Sequence, residues 1–488
     1  MKNVTKLLIF GVALFYARVT QAQTAVQVSA FKKDAITNLN TKYPAYKDIA
    51  YQIWDFAELG YKEVKSTALL QKTLKDNGFT VEAGVAGIPT SFIATYGSGK
   101  PVIGILAEFD ALPGLSQKPV PERSPIVEDG AGHGCEHHLF GTASVAAAIE
   151  LKQLIEQKKV KGTIKLYGTA AEEGGSGKVY MVKAGLFDGV DAMLHWHPSS
   201  QNAVTSSSSL ADISIKFRFR GIASHAAAAP DRGRSALDGV ESMNYLVNMM
   251  REHIPSDTRI HYIITHGGKA PNIVPDFAES FYTLRNPSRA VLEPIVARVI
   301  EAAKGAAMGT GTTMDYEIIA GEYELLINKT LATAMQKNLE TVGGVTYTSD
   351  EIEFGKKLQS SFLNPPPPIE SAALVQPLTG FKAGGAGSAS TDVGDVTWVV
   401  PTVGLGAATA IPGTPGHSWQ NVACGRTEIG TKGMMVAAKT IALTGIDMLT
   451  NPDLLLKAKE EFKASVGTNF VYKPLVGDRK PPFNYRDF

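Results

Sequence analysis

The stretch Gly132–Gly141, GHGCEHHLFG, decides how the rest of the chain is read. It carries one of the two cysteines and three of the 10 histidines in the whole sequence. Cys135 and His137 sit two apart behind glycines, a spacing that suits a tight turn aiming a thiolate and an imidazole at one point. The apolar run Leu139–Ile149 follows at once, so the turn opens a buried helix. Thiolate and imidazole are ligand types that zinc favours. Packed core and chance produce such clusters too, so this stretch alone leaves a metal site open.

Outward from it, buried strands alternate with helical patterns. Upstream, Phe92–Tyr96 reads as a strand, and VIGILA (Val102–Ala107) as a fully buried one that delivers Glu108, Phe109 and Asp110. Open α/β sheets place their chemistry at such strand ends; a turn cap leading into Ala111–Gly114 is the plainer role for Asp110. Ser116–Gly130 is a polar, proline-rich loop. Downstream, Gly162–Thr169 (GTIKLYGT) is another buried strand, ending in Ala170-Ala171-Glu172-Glu173-Gly174-Gly175. In an extended backbone adjacent side chains diverge, so one glutamate can hold a metal while its neighbour faces another part of the cavity. A solvated loop is the alternative. Asp191–His195 leads into His195-Trp196-His197-Pro198, where alternate histidines share one side; a core histidine is the alternative for each. Nearer the start, Ser29–Asn77 carries three helical patterns, among them Ala45–Leu59 and Thr67–Leu74, the last closed by Gly78.

From Leu210 the pattern changes. Ala211–Arg220 (ADISIKFRFR) alternates strictly, as a half-exposed antiparallel strand does. A helix (Ser235–Arg251), two strands (Arg259–Thr265, Ala278–Arg285), a helix (Ala290–Ala303) and a strand (Thr313–Ile319) follow. That β-α-β-β-α-β order is a compact two-layer insert. Ala226–Ala229, beside His225, suits close packing or a subunit-facing surface. Beyond Asn328 helical patterns resume. PPPP at 365–368 is a stiff exposed turn, Trp398–Gly406 reads as a buried strand pair, and helices Thr427–Thr444 and Asp453–Ala464 follow. Glycine groups around Gly384 and Gly404 match no nucleotide fingerprint.

The chain has 488 residues, 44% of them hydrophobic, enough for two domains rather than one. A net charge of +1 gives no sign of a nucleic-acid partner. The opening MKNVTKLLIFGVALFYARVTQAQ has a basic start (Lys2, Lys6), an apolar centre (Leu7–Ala17) and small residues for cleavage after Ala22. It reads as a secretory signal, which places the mature protein outside the cytoplasm, in the periplasm. An uncleaved tethering helix, or a cytoplasmic protein, is the alternative. No later stretch reaches the apolar length of a membrane span, and two cysteines fit a large exported enzyme without disulfide staples.

Taken in order, Asp110, GHGCEHH, AAEEGG, HWHP, SHAAAAPDRGRSALDG and PGHSW resemble the dinuclear metallo-amidohydrolases, the group of aminoacylases, carboxypeptidase G, carnosinases and auxin-conjugate hydrolases. APNIVPDFAE (270–279) and STDVGDVTWVVPT (390–402) are most similar to the branch that cleaves p-aminobenzoyl-glutamate. The resemblance runs from about Ile49, with AELGYKEV (57–64), to about Leu443. It implies an α/β fold: a mixed sheet flanked by helices, with the insert as a ferredoxin-like lid and dimerisation domain. The expected parts are a signal (1–22), two catalytic portions (28–209 and 326–488) and the insert (210–325). It also implies two divalent cations per subunit, zinc or manganese, bridged by Cys135 and completed by His137, Glu173, His197 and His417. Glu172 becomes the general base and Asp110 the residue that orients a ligand. His225 reaches across a homodimer into the partner's site, and Asn272 and Arg285 lie near a small N-acyl amino acid substrate. A sister subunit is a further implied partner.

Two departures stand out. Glu136 occupies a position that is glycine in the auxin branch, and His138 stands where many members have aspartate. His138 reads as packed, His133 and His195 as structural, and His253, His261 and His266 as having no metal role. Two competing functions remain: a dipeptidase or deacylase of other specificity, and a degenerate paralogue that holds metal without turnover. The intact Glu172 argues against the second.

Overall fold

Apolar strands buried on both faces form the centre of the larger sheet. The computed structural model describes residues 2–382 and 389–486, with side chains described from Val26 onward. The side chains of the expected signal (1–22) and the glycine group around Gly384 therefore lie outside the described part. The strands are β1 (Thr80–Ala83), β2 (Phe92–Ser98), β3 (Val102–Ala107), β4 (Gly162–Gly168), β5 (Ala192–Ser199), β6 (Ala203–Val204), β7 (Ala211–Arg220), β8 (Arg259–His266), β9 (Phe277–Asn286), β10 (Thr313–Glu322) and β11 (Thr402–Ala408).

Seven of them form one sheet in the order β1-β2-β4-β3-β5-β11-β6. The run β4-β3-β5-β11 is parallel, and β1, β2 and β6 are antiparallel additions at its two edges. Alternation decides which core each side chain enters. Ile103 and Ile105 of β3 join the core under helices His137–Glu156 and Glu428–Thr450. Leu106 joins the opposite core with Tyr167, Met193, Val393 and Val396. Gly104 has no side chain because the Met193 thioether fills the place of a Cβ. The strand order turns round at β3, with β4 on one side and β5 on the other. The loops leaving β3, β4 and β5 consequently diverge around one crevice, where open sheets bind ligands.

Three segments differ from the sequence reading. The first two helical patterns of Ser29–Asn77 fuse into one helix, Lys2–Phe56, with Pro44 inside it. An internal proline costs about 3 kcal/mol; burial of Leu39, Tyr46, Ala50 and Ile53 against the neighbouring helices offsets it. Trp398–Gly406 is not a strand pair. Helix Val393–Thr397, closed by the Thr397 hydroxyl donating to Gly394 O at 2.5 Å, precedes the single strand β11. Helix Glu428–Thr450 is long and apolar enough to cross a membrane by length and composition, contrary to the expectation of no such stretch. It is mostly buried between the sheet and other helices, the position of a core helix.

The insert has the expected order. Strands β7 to β10 form a second sheet, β10-β7-β9-β8, antiparallel throughout. Ile213, Ile215, Phe217 and Phe219 of β7 are buried among residues of helices Ala236–Met250 and Arg289–Thr310, while Lys216 and Arg218 are only half-buried. The edge strand β8 exposes Ile263 and Ile264.

Candidate metal centre

The turn before helix His137–Glu156 is forced by close packing and a left-handed residue. Gly132 lies where a Cβ would strike Leu115 O, and Glu136 has φ 56°. Helical geometry begins only at His137, so Cys135 and His137 flank the bend. The left-handed backbone explains why glycine suits this position in the auxin branch. Here the Glu136 side chain turns inward and accepts from the Thr409 hydroxyl at 2.6 Å. Burial pushes its pKa up to about 8, so it is a neutral carboxylic acid at pH 7. Ala171, Ser176 and His417 are also non-glycine residues with positive φ. Such residues cost about 1–3 kcal/mol each, and their concentration here fits a functional site.

The five expected ligands converge. Cys135 Sγ lies 3.6 Å from His197 Nε2 and 3.4 Å from His417 Nε2. His417 Nε2 lies 3.5 Å from Glu173 Oε1. Potential ligand atoms of Cys135, His137 and His197 lie within 4.8 Å of one another, as do those of Cys135, Glu173 and His417. A third such set joins Glu108, His137 and Glu172. Cys135 is common to the first two sets, and His417 is the exposed member at the mouth.

These residues fit divalent cations. His137 Nε2 and Glu173 Oε1 are buried without a hydrogen-bond partner, a costly arrangement unless a ligand completes them. Thiolate, imidazole and carboxylate together are the donor set of zinc and, on the carboxylate side, manganese. Asp110 ties the two halves: its Oδ1 lies 2.8 Å from His137 Nδ1 and its Oδ2 accepts from Glu173 N at 2.9 Å. That leaves Nε2 as the histidine's inward-facing atom, in line with the orienting role expected of Asp110.

The glutamate pair does not sit in an extended segment. Glu172–Gly175 is a kinked turn between left-handed Ala171 and Ser176, with Glu173 at φ −69°, ψ 68°. Divergence survives by this different route, since Glu173 joins the Cys135–His417 set and Glu172 the Glu108–His137 set. Burial, then the charges of Glu108 and Glu173, hold the Glu172 carboxyl well above the usual carboxylate range. A carboxyl raised in this way is suited to accept a proton near neutrality. Burial likewise lifts the Cys135 thiol, which only a cation would convert to thiolate here. Burial lowers His137, but Asp110 and Glu108 outweigh it and hold the imidazole well above its ordinary value.

Beneath the cage lies a buried ionic cluster that pattern reading did not reveal. Lys178 Nζ is 2.7 Å from Glu108 Oε1 and 2.6 Å from Asp392 Oδ1, with all three side chains buried. Glu108 Oε2 in turn lies 3.2 Å from His137 Nε2. Glu108 stood at a strand end and Asp392 inside the STDVGDVT motif, but nothing in the sequence marks Lys178 as their partner.

The remaining histidines sort as expected. His138 packs against His133 with ring centroids 4.8 Å apart and bonds Gly425 O; His133 bonds Ile53 O. Burial lowers His195 to about 4, and its ring fills the space a side chain on Gly404 would need. His253, His261 and His266 lie on the insert, in none of the three sets. His225, Asn272 and Arg285 are not in those sets either. His225 is exposed, paired with Ile273, and its Nδ1 accepts from Ala227 and Ala228 N. Asn272 is exposed beside it and accepts Ala226 N through its carbonyl. Arg285 lies opposite Asp212 across β7 and β9.

The sequence profile of peptidase family M20/M25/M40 matches residues 104–365. The chain belongs to this family. It is 39% identical over 466 residues to one of the subunits of the p-aminobenzoyl-glutamate hydrolase of Escherichia coli (strain K12), covering 89% of this chain and 95% of that one. It is 29% identical to the Xaa-Arg dipeptidase of Mus musculus over 462 residues, 91% of this chain and 94% of that. Its fold is shared by a dinuclear metal binding peptidase of the M20 family from Bacillus subtilis: TM-score 0.56, 16% identity, 84% of this chain and 99% of that one. This M20 chain is a hydrolase of amide bonds that uses divalent metal.

Proposed function

We propose that the chain is an exported amidohydrolase that cleaves the amide bond of an N-acyl or aminobenzoyl amino acid, p-aminobenzoyl-glutamate being the first candidate. The observation that carries this reading is the sharing of Cys135 between the His137–His197 and Glu173–His417 sets. In this reading these five side chains hold two ions, zinc or manganese. Bound there, the ions supply Lewis acidity that lowers the pKa of a water and polarises a carbonyl. Glu172 takes the proton of the attacking water and returns it to the leaving amine nitrogen. Asp110 keeps His137 Nε2 turned inward. His225 of a second copy offers its imidazole to the oxygen of the scissile carbonyl, a role that requires a homodimer. Asn272, beside His225, and Arg285 complete the substrate contacts.

The 39% identity to a relative named for aminobenzoyl-glutamate hydrolysis supports that substrate, and the designation of that relative as one of several subunits supports a sister chain. The likeness to a dipeptidase favours a second reading, cleavage of a dipeptide. Purified, metal-loaded protein assayed on p-aminobenzoyl-glutamate, N-acyl amino acids and Xaa-Arg dipeptides separates them by kcat/KM. Two bound ions with no turnover on any of these would replace both readings with a metal-binding role. Fractionation of cells expressing the full chain, with mass determination of its start, tests export and cleavage after Ala22.

A further inference from the structure

The segment after helix Pro452–Val466 forms neither helix nor strand, yet most of it is fastened down. Gly467, at φ 80°, ends the helix, and Thr468–Arg486 then crosses from the insert to the metal-site turn. Long irregular stretches in a compact protein are either disordered or functional, and this one is pinned at both ends. At the insert, Arg479 Nη2 is 2.6 Å from Glu317 Oε1 of β10, and Arg479 Nη1 donates to Ile319 O at 2.8 Å. At the far end, two side chains meet on one atom. The Tyr485 hydroxyl donates to Glu173 O at 2.9 Å, and Arg486 Nη2 donates to the same oxygen at 2.5 Å.

A carbonyl oxygen has two lone pairs, and here both are taken, one of them by a charged donor, the stronger kind. Glu173 directs its carboxylate to His417 while its carbonyl is held by this segment. The backbone between is the kinked turn flanked by left-handed residues, a conformation that persists only when its surroundings impose it. The Tyr485 ring packs edge-on against Tyr61, whose own hydroxyl donates to Gly175 O at 2.5 Å. Gly60 is bare because a Cβ there would collide with the Tyr485 hydroxyl.

We propose that residues 468–486 act as a strap in which Tyr485 and Arg486 are positioning residues for the Glu172–Glu173 turn, with Arg479 fixing that turn's register against the insert. The proposal rests on the hydrolytic reading above. Mispositioning of a reacting group by about 1 Å costs on the order of 100-fold in rate, so the strap acts on kcat rather than on substrate binding.

The test compares the full-length, metal-loaded parent with Tyr485→Phe, Arg486→Met, the double variant, and Arg486→Lys, which retains a cationic donor. The expected result for the double variant is a kcat reduced roughly 10–100-fold with KM within about threefold. Arg486→Lys recovers part of the loss. Hydrogen exchange of amides 171–176, measured without metal, speeds up in the double variant while exchange in β3 and β4 stays at the parent rate. A kcat within about threefold of the parent, or unchanged exchange at 171–176, overturns the strap. Should the double variant fail to fold, Tyr485→Phe, which removes one hydroxyl, is read by the same two measurements. If the parent turns over none of the substrates, the hydrolytic reading fails on its own, and the exchange result still decides whether the segment holds the turn.

Discussion

Replacing Lys178 with methionine should cost more stability than any single change at the cage itself. The methionine keeps the length of the side chain but removes the charge that meets Glu108 at 2.7 Å and Asp392 at 2.6 Å. Both acids are fully or almost fully buried, so the change strands two carboxylates without this cation. Breaking a buried pair by removing one partner costs about 3–5 kcal/mol. With about 2.1 cal/mol/K of unfolding entropy per residue, a chain of this length loses roughly 1 °C of Tm per kcal/mol, so a fall of about 3–5 °C is expected. The pH profile adds a sign. Burial raises Glu108, but Lys178 and His137 outweigh it and hold its pKa below the ordinary value. Burial carries Asp392 up to about 6 even with Lys178 beside it. Without Lys178 both pKa values rise in the folded state above those of the unfolded chain. The folded variant then binds the extra protons, and its stability falls as pH rises. The Tm deficit relative to the parent should therefore be larger at pH 8 than at pH 5.5, read by scanning calorimetry on metal-free protein. A variant within 1 °C of the parent at both pH values would refute the idea that this ion cluster supports the cage.

Glu172→Gln should keep two ions per chain by elemental analysis and lose most turnover; a fully active variant removes Glu172 from the role of base. Cys135→Ala should lower metal occupancy, and unchanged stoichiometry would show that the sulfur is not a ligand. Mixing inactive His225→Ala with inactive Glu172→Ala protomers should restore part of the activity if His225 works in the partner's site; no rescue counts against it. Burial pushes Asp395, which accepts Tyr323 N and the Tyr472 hydroxyl, up to about 7. Its contribution to stability thus falls by about 1.4 kcal/mol per pH unit between roughly pH 4 and 7 and is flat above. Asp395→Asn should flatten the Tm profile over that window, and a slope equal to the parent's would show that this carboxyl does not titrate there.

What could be read in advance, and what could not, follows from the range of the interactions. The strands β3, β4 and β5 are buried on both faces, so each announces itself as an apolar run, and the polar residues that end each run are the ones delivered to the crevice. Cys135, Glu173 and His197 were legible for that reason, and the alternation of β7 exposed the insert for another. A proline inside Lys2–Phe56 and a strand within Trp398–Gly406 were misleading because tertiary packing, not local preference, settles both. β1 and β6 are too short to carry a period.

The devices that hold the cage are least visible because each is assembled from segments far apart in the chain. Lys178 pairs with residues 70 positions before it and 214 after it, and Arg486 reaches back 313 positions to Glu173. No local pattern encodes a bond of that span. Ligand types are dictated by the cation and are therefore readable residue by residue. Their supports need only supply charge or a donor at the right place, which any distant segment can do. His225, Asn272 and Arg285 mark the boundary between the two cases. Their residue types suit substrate contact, but within one chain none of them belongs to the ligand sets around Cys135, His137 and Glu172. The mixed-protomer experiment therefore tests whether hydrolysis belongs to a single fold or to a pair, because a site completed within one chain has nothing to gain from a second copy.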